Sequence, residues 1–451
     1  MGLFSLLGTA RDGILAQSAA LTTTGQNIAN VSTPGYVRRR AVLESTQAGG
    51  VRVAMNQRTF DRFAFGHLVG QQSKLAAAEA RSYALTEIET TLAPPNGSIG
   101  DSAMALVQAF NALAAFPVDP SLRADVIAKT QNLATTISST AKALETTGEN
   151  LLGRARDVVG EVNATLSQIA DLNKQIATAL GAGGDPSGLR DQRDLAIRQV
   201  GERVGAQAVE GPDGRVTLFA AGSVLVEGNG FSALSMDLDA NGAMRFFVNG
   251  ATKNEITSRI DTGMLGGLRE ARDVDLAKMR DKVDAYAFDL ANAFNAVHST
   301  GYGTDGVTGR DLFVPPATQK GAAASMAIDP ALVDHPERIG AAASTNELPG
   351  GNGVALQLGN LGTAPAFGGT TLADRFADIA TDIGLRKSAA RAECELRTDT
   401  LSVAEQLEGS ANAVSLEEEM VDLAQYQRAF EASTKVLRTV DELLKTLMES
   451  F

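Results

Sequence analysis

The sequence predicts a mainly α protein: an elongated helical bundle or coiled coil formed by the N- and C-terminal segments, with a small inserted β domain. Three observations predict it. Apolar residues recur every seven positions at both ends of the chain, long stretches between them keep helical spacing, and one window of short β-prone runs between glycine turns interrupts the pattern. At 451 residues, with 44% hydrophobic content, no Trp and 5% aromatics, the chain suits a helix-rich elongated body or several domains better than one ordinary core.

The first element is a helix over Leu3–Ile28. Leu7, Ile14, Leu21 and Ile28 form one strong heptad column, with Leu3, Ala10, Gln17 and Thr24 as a weaker companion. Thr22 to Gly25 are poor helix formers, so this helix alone is marginal. Pro34-Gly35 stops it. A hairpin-like stretch follows, in which Val51, Val53 and Met55 alternate with polar or small residues after the Gly49-Gly50 break; these parts make up residues 1–60.

Residues 61–203 read as a helical rod domain. Helical spacing runs from Asp61 to Ala93 and from Ser102 to Phe116, with turns at Pro94-Pro95-Asn96-Gly97 and at Pro117 and Pro120. From Leu122 to Leu180 the apolar residues fit one long rod, followed by a glycine loop and a short charged helix over Leu189 to about Val200. The small β domain occupies 204–261, where Gly211-Pro212-Asp213-Gly214 and Asn241-Gly242 are hairpin signals. Residues 262–361 hold a returning helix, Leu265 to Val297, and then a turn-rich stretch whose architecture the pattern does not give. Residues 362–451 form a C-terminal helical part ending in a coiled-coil helix.

That last helix carries the clearest pattern. Leu416, Leu423, Phe430, Leu437, Leu444 and Phe451 repeat every seven residues, and Tyr426, Val440 and Leu447 reinforce the seam. Ser415 and Glu418 form a capping-box pattern, with Glu417 and Glu419 adding charge that suits the helix dipole. From Ser415 to Phe451 the helix would measure roughly 55 Å at about 1.5 Å per residue. An ordinary core-facing stripe is the plain alternative. Seams at both extremes of the chain, where termini usually fray, favour helices meant for partner helices.

Chemistry is poorly represented. A net charge of −13 disfavours nucleic acid and anionic membranes, no run of 18 apolar residues offers membrane insertion, and the first 20 residues lack the pattern of a secretory signal. Cys394 is the single cysteine and reads as a buried bystander. His67, His298 and His335 are too scattered to bind metal. Gly301 to Gly306 fits G-x-G-x-x-G but follows a helix instead of a strand, and Asp305 and Asp311 lack the oxygen spacing of an EF-hand. Arg190, Asp191, Arg193 and Asp194 read as ion pairs along one helix face. The Arg38-Arg39-Arg40 cluster is too short to imply nucleic acid. No catalytic residue, cofactor or metal site is expected.

The stretch LGTARDGILAQSAALTTTGQNIANVSTPGYVRR resembles the opening segment of bacterial flagellar rod, hook and hook-associated proteins; Asn27, Asn30, Pro34, Gly35 and Tyr36 carry its specific part. DQRDL at 191–195, with Asp191, Arg193 and Asp194, the run NAFNAVHSTGYGTDGVTGRDLF at 292–313 and the segment 415–448 look like stretches of the hook-associated protein 1 family. The resemblance implies a structural subunit of the flagellum at the hook–filament junction, not an enzyme. Implied partners are flagellar hook protein, hook-associated protein 3, other copies of the chain, and an export chaperone at the C-terminal helix. It also implies an extracellular place in the flagellum, reached by type III export without a cleaved signal peptide. Larger members carry extra sequence between the equivalents of Phe313 and Asn346, so the outer surface here should be reduced. A hook or distal rod axial protein is the alternative within the class, and a soluble enzyme or adhesin with helical ends the alternative outside it. The expected assembly interface is Leu7, Ile14, Leu21 and Ile28 with the C-terminal seam, ordered when subunits meet.

Overall fold

A computed structural model describes every residue except Met1, Ala48, Pro95, Ser450 and Phe451, so the seam position Phe451 and the Pro95 of the expected turn lie outside the described residues. Helix α1 (Leu3–Ala29) begins after Gly2 with no side-chain cap. Strands β1 (Arg39–Ser45) and β2 (Val51–Arg58) pair antiparallel as a hairpin, with a register shift between Val42 and Leu43.

The next helices start where the chain supplies caps. Asp61 accepts from the Phe63 and Ala64 amides to open α2 (Arg62–Leu92), and Ser98 with Asp101 closes a capping box on α3 (Ile99–Ala115). Asp119, with Pro120 in the first turn, opens α4 (Pro120–Gly181). At 62 residues α4 is about 93 Å long at about 1.5 Å per residue, the rod that its spacing predicted. Helix α5 (Ser187–Val204) runs back along it and ends at Gly205, whose φ of +70° is the left-handed conformation glycine reaches without strain.

The inserted β region follows as two antiparallel sheets, whose apolar residues share the core of the helices. The first contains β3 (Ala206–Glu210), β4 (Val216–Ala220), β5 (Ser223–Glu227) and β6 (Gly230–Phe231) in that order. The second contains β7 (Ala233–Leu238), β8 (Met244–Asn249) and β9 (Lys253–Glu255). Both predicted hairpin turns are present. Asp213 accepts from the Arg215 amide beside Gly214, and Asp239 accepts from the Asn241 and Ala243 amides beside Gly242. Two asparagines of α4 dock the sheets: Asn163 donates to Leu234 O and accepts its amide, while Asn173 donates to Val216 O and Gly228 O and accepts from Val216 N.

The returning helix is not uniform. Helix α6 (Gly263–Arg269) passes through a π-helical segment, Glu270–Leu276, into α7 (Ala277–His298). The extra residue per turn coincides with Asp275, fully buried, which accepts two bonds from Arg81 of α2 and one from Arg386 of the helix α9 (Leu372–Asn412). The stretch that sequence left unread is mostly irregular, with 3-10 turns and the short helix α8 (Gly353–Asn360). Two side chains from the end of α7 organise it. Asn295 donates to Phe313 O and accepts from the Leu312 and Phe313 amides. His298 bonds Arg310 O through Nδ1 and accepts the Gly340 amide at Nε2, which fixes it as the neutral Nδ1–H tautomer; burial lowers its pKa to about 4. The glycine-rich motif is a turn: Gly301 lies so close to Gly340 that a Cβ there would come within 3.0 Å of backbone.

The chain ends with α9, opened by a Thr371–Asp374 capping box, and α10 (Leu416–Glu449). One apolar core runs from Phe65 of α2 to Ala390 of α9 and, among the described residues, contains none of α1, the β1–β2 hairpin or α10. The terminal helices therefore form a separate layer. What joins that layer to the body is polar. Cys394 is half-buried, more open than expected for a bystander in the core.

Candidate assembly interface

The two terminal helices pack against each other antiparallel. Gly13 faces Ser433 and Asn27 reaches Glu419, so position rises along α1 by the same step that it falls along α10. On α10 the expected seam turns inward: Leu423, Tyr426, Phe430, Leu437 and Leu444 are half-buried and Val440 is 3% exposed. Leu416 and Leu447, at either end, are about half exposed. Burial raises the Tyr426 phenol pKa.

On α1 the inward face is not the strong column. Ala10, Gly13, Ala16, Ala20, Thr23, Thr24 and Asn27 are buried, whereas Leu7, Ile14, Leu21 and Ile28 stand on the flank, half-buried. The physical reason is close approach: an added Cβ on Gly13 would lie 2.9 Å from Ser433 Oγ, so only small side chains fit between the two backbones. Within one chain, then, the companion column and its neighbours make the seam. The larger residues are left beside it.

The capping box of α10 forms only in part. The Glu418 amide points to Ser415 Oγ at 3.5 Å, but the Glu418 carboxylate is taken by Arg38 at 2.5 Å. Arg38 also reaches Glu419 at 2.7 Å and Asp422 at 3.5 Å. Behind this fork sits Asn27, 1% exposed, with all four of its bonding positions filled. Its amide donates to Arg39 O and to Glu419 Oε2, and its carbonyl accepts from Tyr36 Oη and Arg39 N. Burial raises the pKa of the Tyr36 phenol, which is thereby kept as a donor. One buried amide thus fastens α1, the hairpin and α10 together.

The remaining motif residues build the turn into the hairpin. Asn30 donates to Gln26 O and accepts from Thr33 Oγ1, Pro34 is exposed, and Gly35 turns with φ +79° against Leu195 of α5. The next contacts reach the body. Asp191 holds Arg39 at 2.9 Å and Arg58 at 2.8 Å, and Asp194 lies 2.7 Å from Arg58. This corrects the expectation of ion pairs along one helix face: the acids of α5 pair with hairpin arginines more than a hundred residues away. Arg193, 1% exposed, turns the other way, to Gly214 O, Asn173 Oδ1 and Glu210. Burial lowers the Arg193 pKa and raises that of Asp194. At the far edge, Asn412 of α9 gives its carbonyl to the Arg38 amide and its side-chain oxygen to the Asp61 amide.

Sequence reasoning passed over Arg39, Arg58, Asn173, Asn412 and Glu419 as site residues. A signal existed in the Arg38-Arg39-Arg40 run, because successive residues of a chain entering a strand point to opposite sides, although β1 itself begins at Arg39. That alternation sends Arg38 to α10 and Arg39 to α5. Among the described residues, no group of His, Cys, Asp and Glu is placed to hold a metal ion, and no helix is long and apolar enough to cross a membrane.

Comparison with known proteins agrees with this layout. Residues 7–36 match the flagella basal body rod protein family and residues 405–450 the flagellar basal body rod FlgEFG protein C-terminal family, the two segments that meet at Asn27 and Glu419. The flagellar hook-associated protein 1 of Salmonella typhimurium is 31% identical over 326 residues, 68% of this chain and 59% of its own length; the chain thus spans less than two thirds of that relative. The Bacillus subtilis protein of the same name is 29% identical over 495 residues, covering 98% of this chain and 97% of its own. The solved structure of the flagellar hook junction protein FlgK from Burkholderia pseudomallei shares the fold, with a TM-score of 0.67 at 16% identity over 76% of this chain and all of that one. Residues 85–313, just over half the chain, match the family described as the flagellar hook-associated protein FlgK helical domain, and the chain belongs to the flagellar hook-associated protein 1 family.

Proposed function

We propose that the chain is a structural subunit of the bacterial flagellum at the hook–filament junction, assembling by pairing of its terminal helices with those of neighbouring copies. The observation that carries this reading is the uncovered apolar surface of the α1–α10 pair. Leu7, Ile14, Leu21 and Ile28 are half-buried on one helix, and Val436 and Leu443 are 45% and 51% exposed on the other. Covering the remaining half of a Leu, Ile or Val contributes on the order of 1 kcal/mol, which over several residues in many copies helps offset the ordering of helices that are marginal alone. Many copies of this pair would line the inner wall, with the helical body next and the β domain outermost.

Hook protein and hook-associated protein 3 are the proposed neighbours, with an export chaperone on α10 beforehand and type III export without a cleaved signal peptide. The relatives' names support the junction over a hook or distal rod position. An enzymatic reading loses its main support, since Asp191 and Asp194 are both engaged by arginines. The test is removal of Leu437–Phe451. The shortened chain should be absent from sheared flagella and filaments should fail to grow from hooks; its incorporation at normal levels would refute the proposal. Hydrogen exchange on the purified monomer checks order on assembly, for which strong protection across α1 and α10 before assembly would be fatal.

A further inference from the structure

The ion-paired junction borders a cavity of about 320 Å³, between the end of β2, the first turns of α2, and α5 with β3. Phe60, Phe63 and Phe65 line it together with Arg58, Arg193 and Asp194. Its size falls within the range of small-ligand sites. The charged side chains that line it are three arginines, Arg58, Arg62 and Arg193, and two carboxylates, Asp194 and Glu210, a local excess of positive charge in a chain whose net charge is −13.

A buried donor is also left over. Among the described residues, Arg193 Nε, on a side chain 2% exposed, has no hydrogen-bond acceptor. Arg58 is already held by carboxylates, Asp191 at 2.8 Å and Asp194 at 2.7 Å, so the unmet donor is on Arg193. An unmet donor on a buried guanidinium is costly, and an added acceptor would recover that cost. Beside the arginines Phe63, 78% exposed, offers an open apolar face, while the Phe60 ring lies under the Arg58 guanidinium at 4.3 Å.

We infer that this cavity is a binding site for an amphipathic carboxylate, whose charged group meets Arg193 beside Arg58 and whose apolar or aromatic body rests on Phe63. The carboxylate could come from a free organic acid or from an acidic side chain flanked by apolar residues on another polypeptide. This inference does not rest on the assembly reading.

The experiment titrates the purified full-length chain with 3-phenylpropionate, with its neutral amide, and with a short peptide carrying Glu between two Leu residues. Calorimetry measures affinity, and methyl NMR follows Val69, Ile197 and Val216, which line the same cavity. Expected results are saturable binding of the acid, at least about tenfold weaker binding of the amide, and shifts confined to those methyls. Tighter binding of the peptide than of the free acid assigns the polypeptide source, and the reverse assigns the small molecule. Because Arg58→Gln also breaks the pairs with Asp191 and Asp194, the informative variant is Phe63→Ala, which should keep the fold and weaken binding severalfold. Absence of binding by both acid and peptide, equal affinity for the amide, methyl shifts elsewhere, or an unchanged affinity in Phe63→Ala would each overturn the inference.

Discussion

Replacing Asn27 by Ala should loosen the junction between the terminal helices and the hairpin without unfolding the body. The side chain makes four hydrogen bonds in a site 1% exposed, at 2.7 Å to Arg39 O, 2.9 Å to Glu419 Oε2, 2.9 Å from Tyr36 Oη and 3.1 Å from Arg39 N. A neutral bond contributes about 1 kcal/mol net and one to a carboxylate about 1.5 to 3 kcal/mol. Water entering the vacated space returns part of this, which leaves a loss of about 3 to 4 kcal/mol, or roughly a hundredfold to a thousandfold in the local opening equilibrium. The body has its own core, so a single global unfolding curve is the wrong measurement. Hydrogen exchange on isolated flagella, where assembly orders the terminal helices, reads the opening directly at the Arg39 amide, which donates to Asn27 Oδ1. Acceleration by less than about tenfold would refute the reasoning. Asn27→Asp supplies a control: it keeps the two acceptor bonds but sets a carboxylate against Glu419. It should therefore open more readily than Asn27→Ala, and Glu419→Gln should reverse most of that excess.

Asp275→Asn leaves Arg81 and Arg386 around a neutral group in a fully buried site, and should cost about 3 to 5 kcal/mol in thermal or urea unfolding of the body. Gly267→Ala would place a Cβ 2.1 Å from Ala77 O, a backbone atom that cannot rotate away; separation of α2 from α6 should lower stability by about 1 to 3 kcal/mol, and a neutral effect would show that the contact relaxes. His298, ordinarily near 6.5, has a folded pKa of about 4, so the unfolded chain binds more protons between those values. Its contribution is complete above about pH 6.5 and declines as pH falls, by about 3 kcal/mol near pH 4, and His298→Asn should flatten stability across that window.

Much of the fold was legible because its signals are local. Heptad spacing drew α10, the uninterrupted run from Leu122 to Leu180 drew most of α4, and Gly214 and Gly242 marked hairpins whose turns require positive φ. Each depends on residues within a few positions of one another. The irregular stretch after α7 was not legible, since Asn295 and His298 order it by bonding backbone from 12 to 42 residues away.

The site divided along the same line. Periodicity by itself determined that both ends are seam-bearing helices, and on α10 it chose the face that turns inward. On α1 it pointed to Leu7, Ile14, Leu21 and Ile28, whereas tertiary structure placed the small face against α10, because Gly13 and the alanines permit the closer approach. Likewise the charges of Arg38, Arg39, Asp191 and Asp194 were visible in the sequence, but their partners were not. An ion pair is set by distance in space, and only the folded chain brings Arg39 to Asp191 and Arg38 to Glu419.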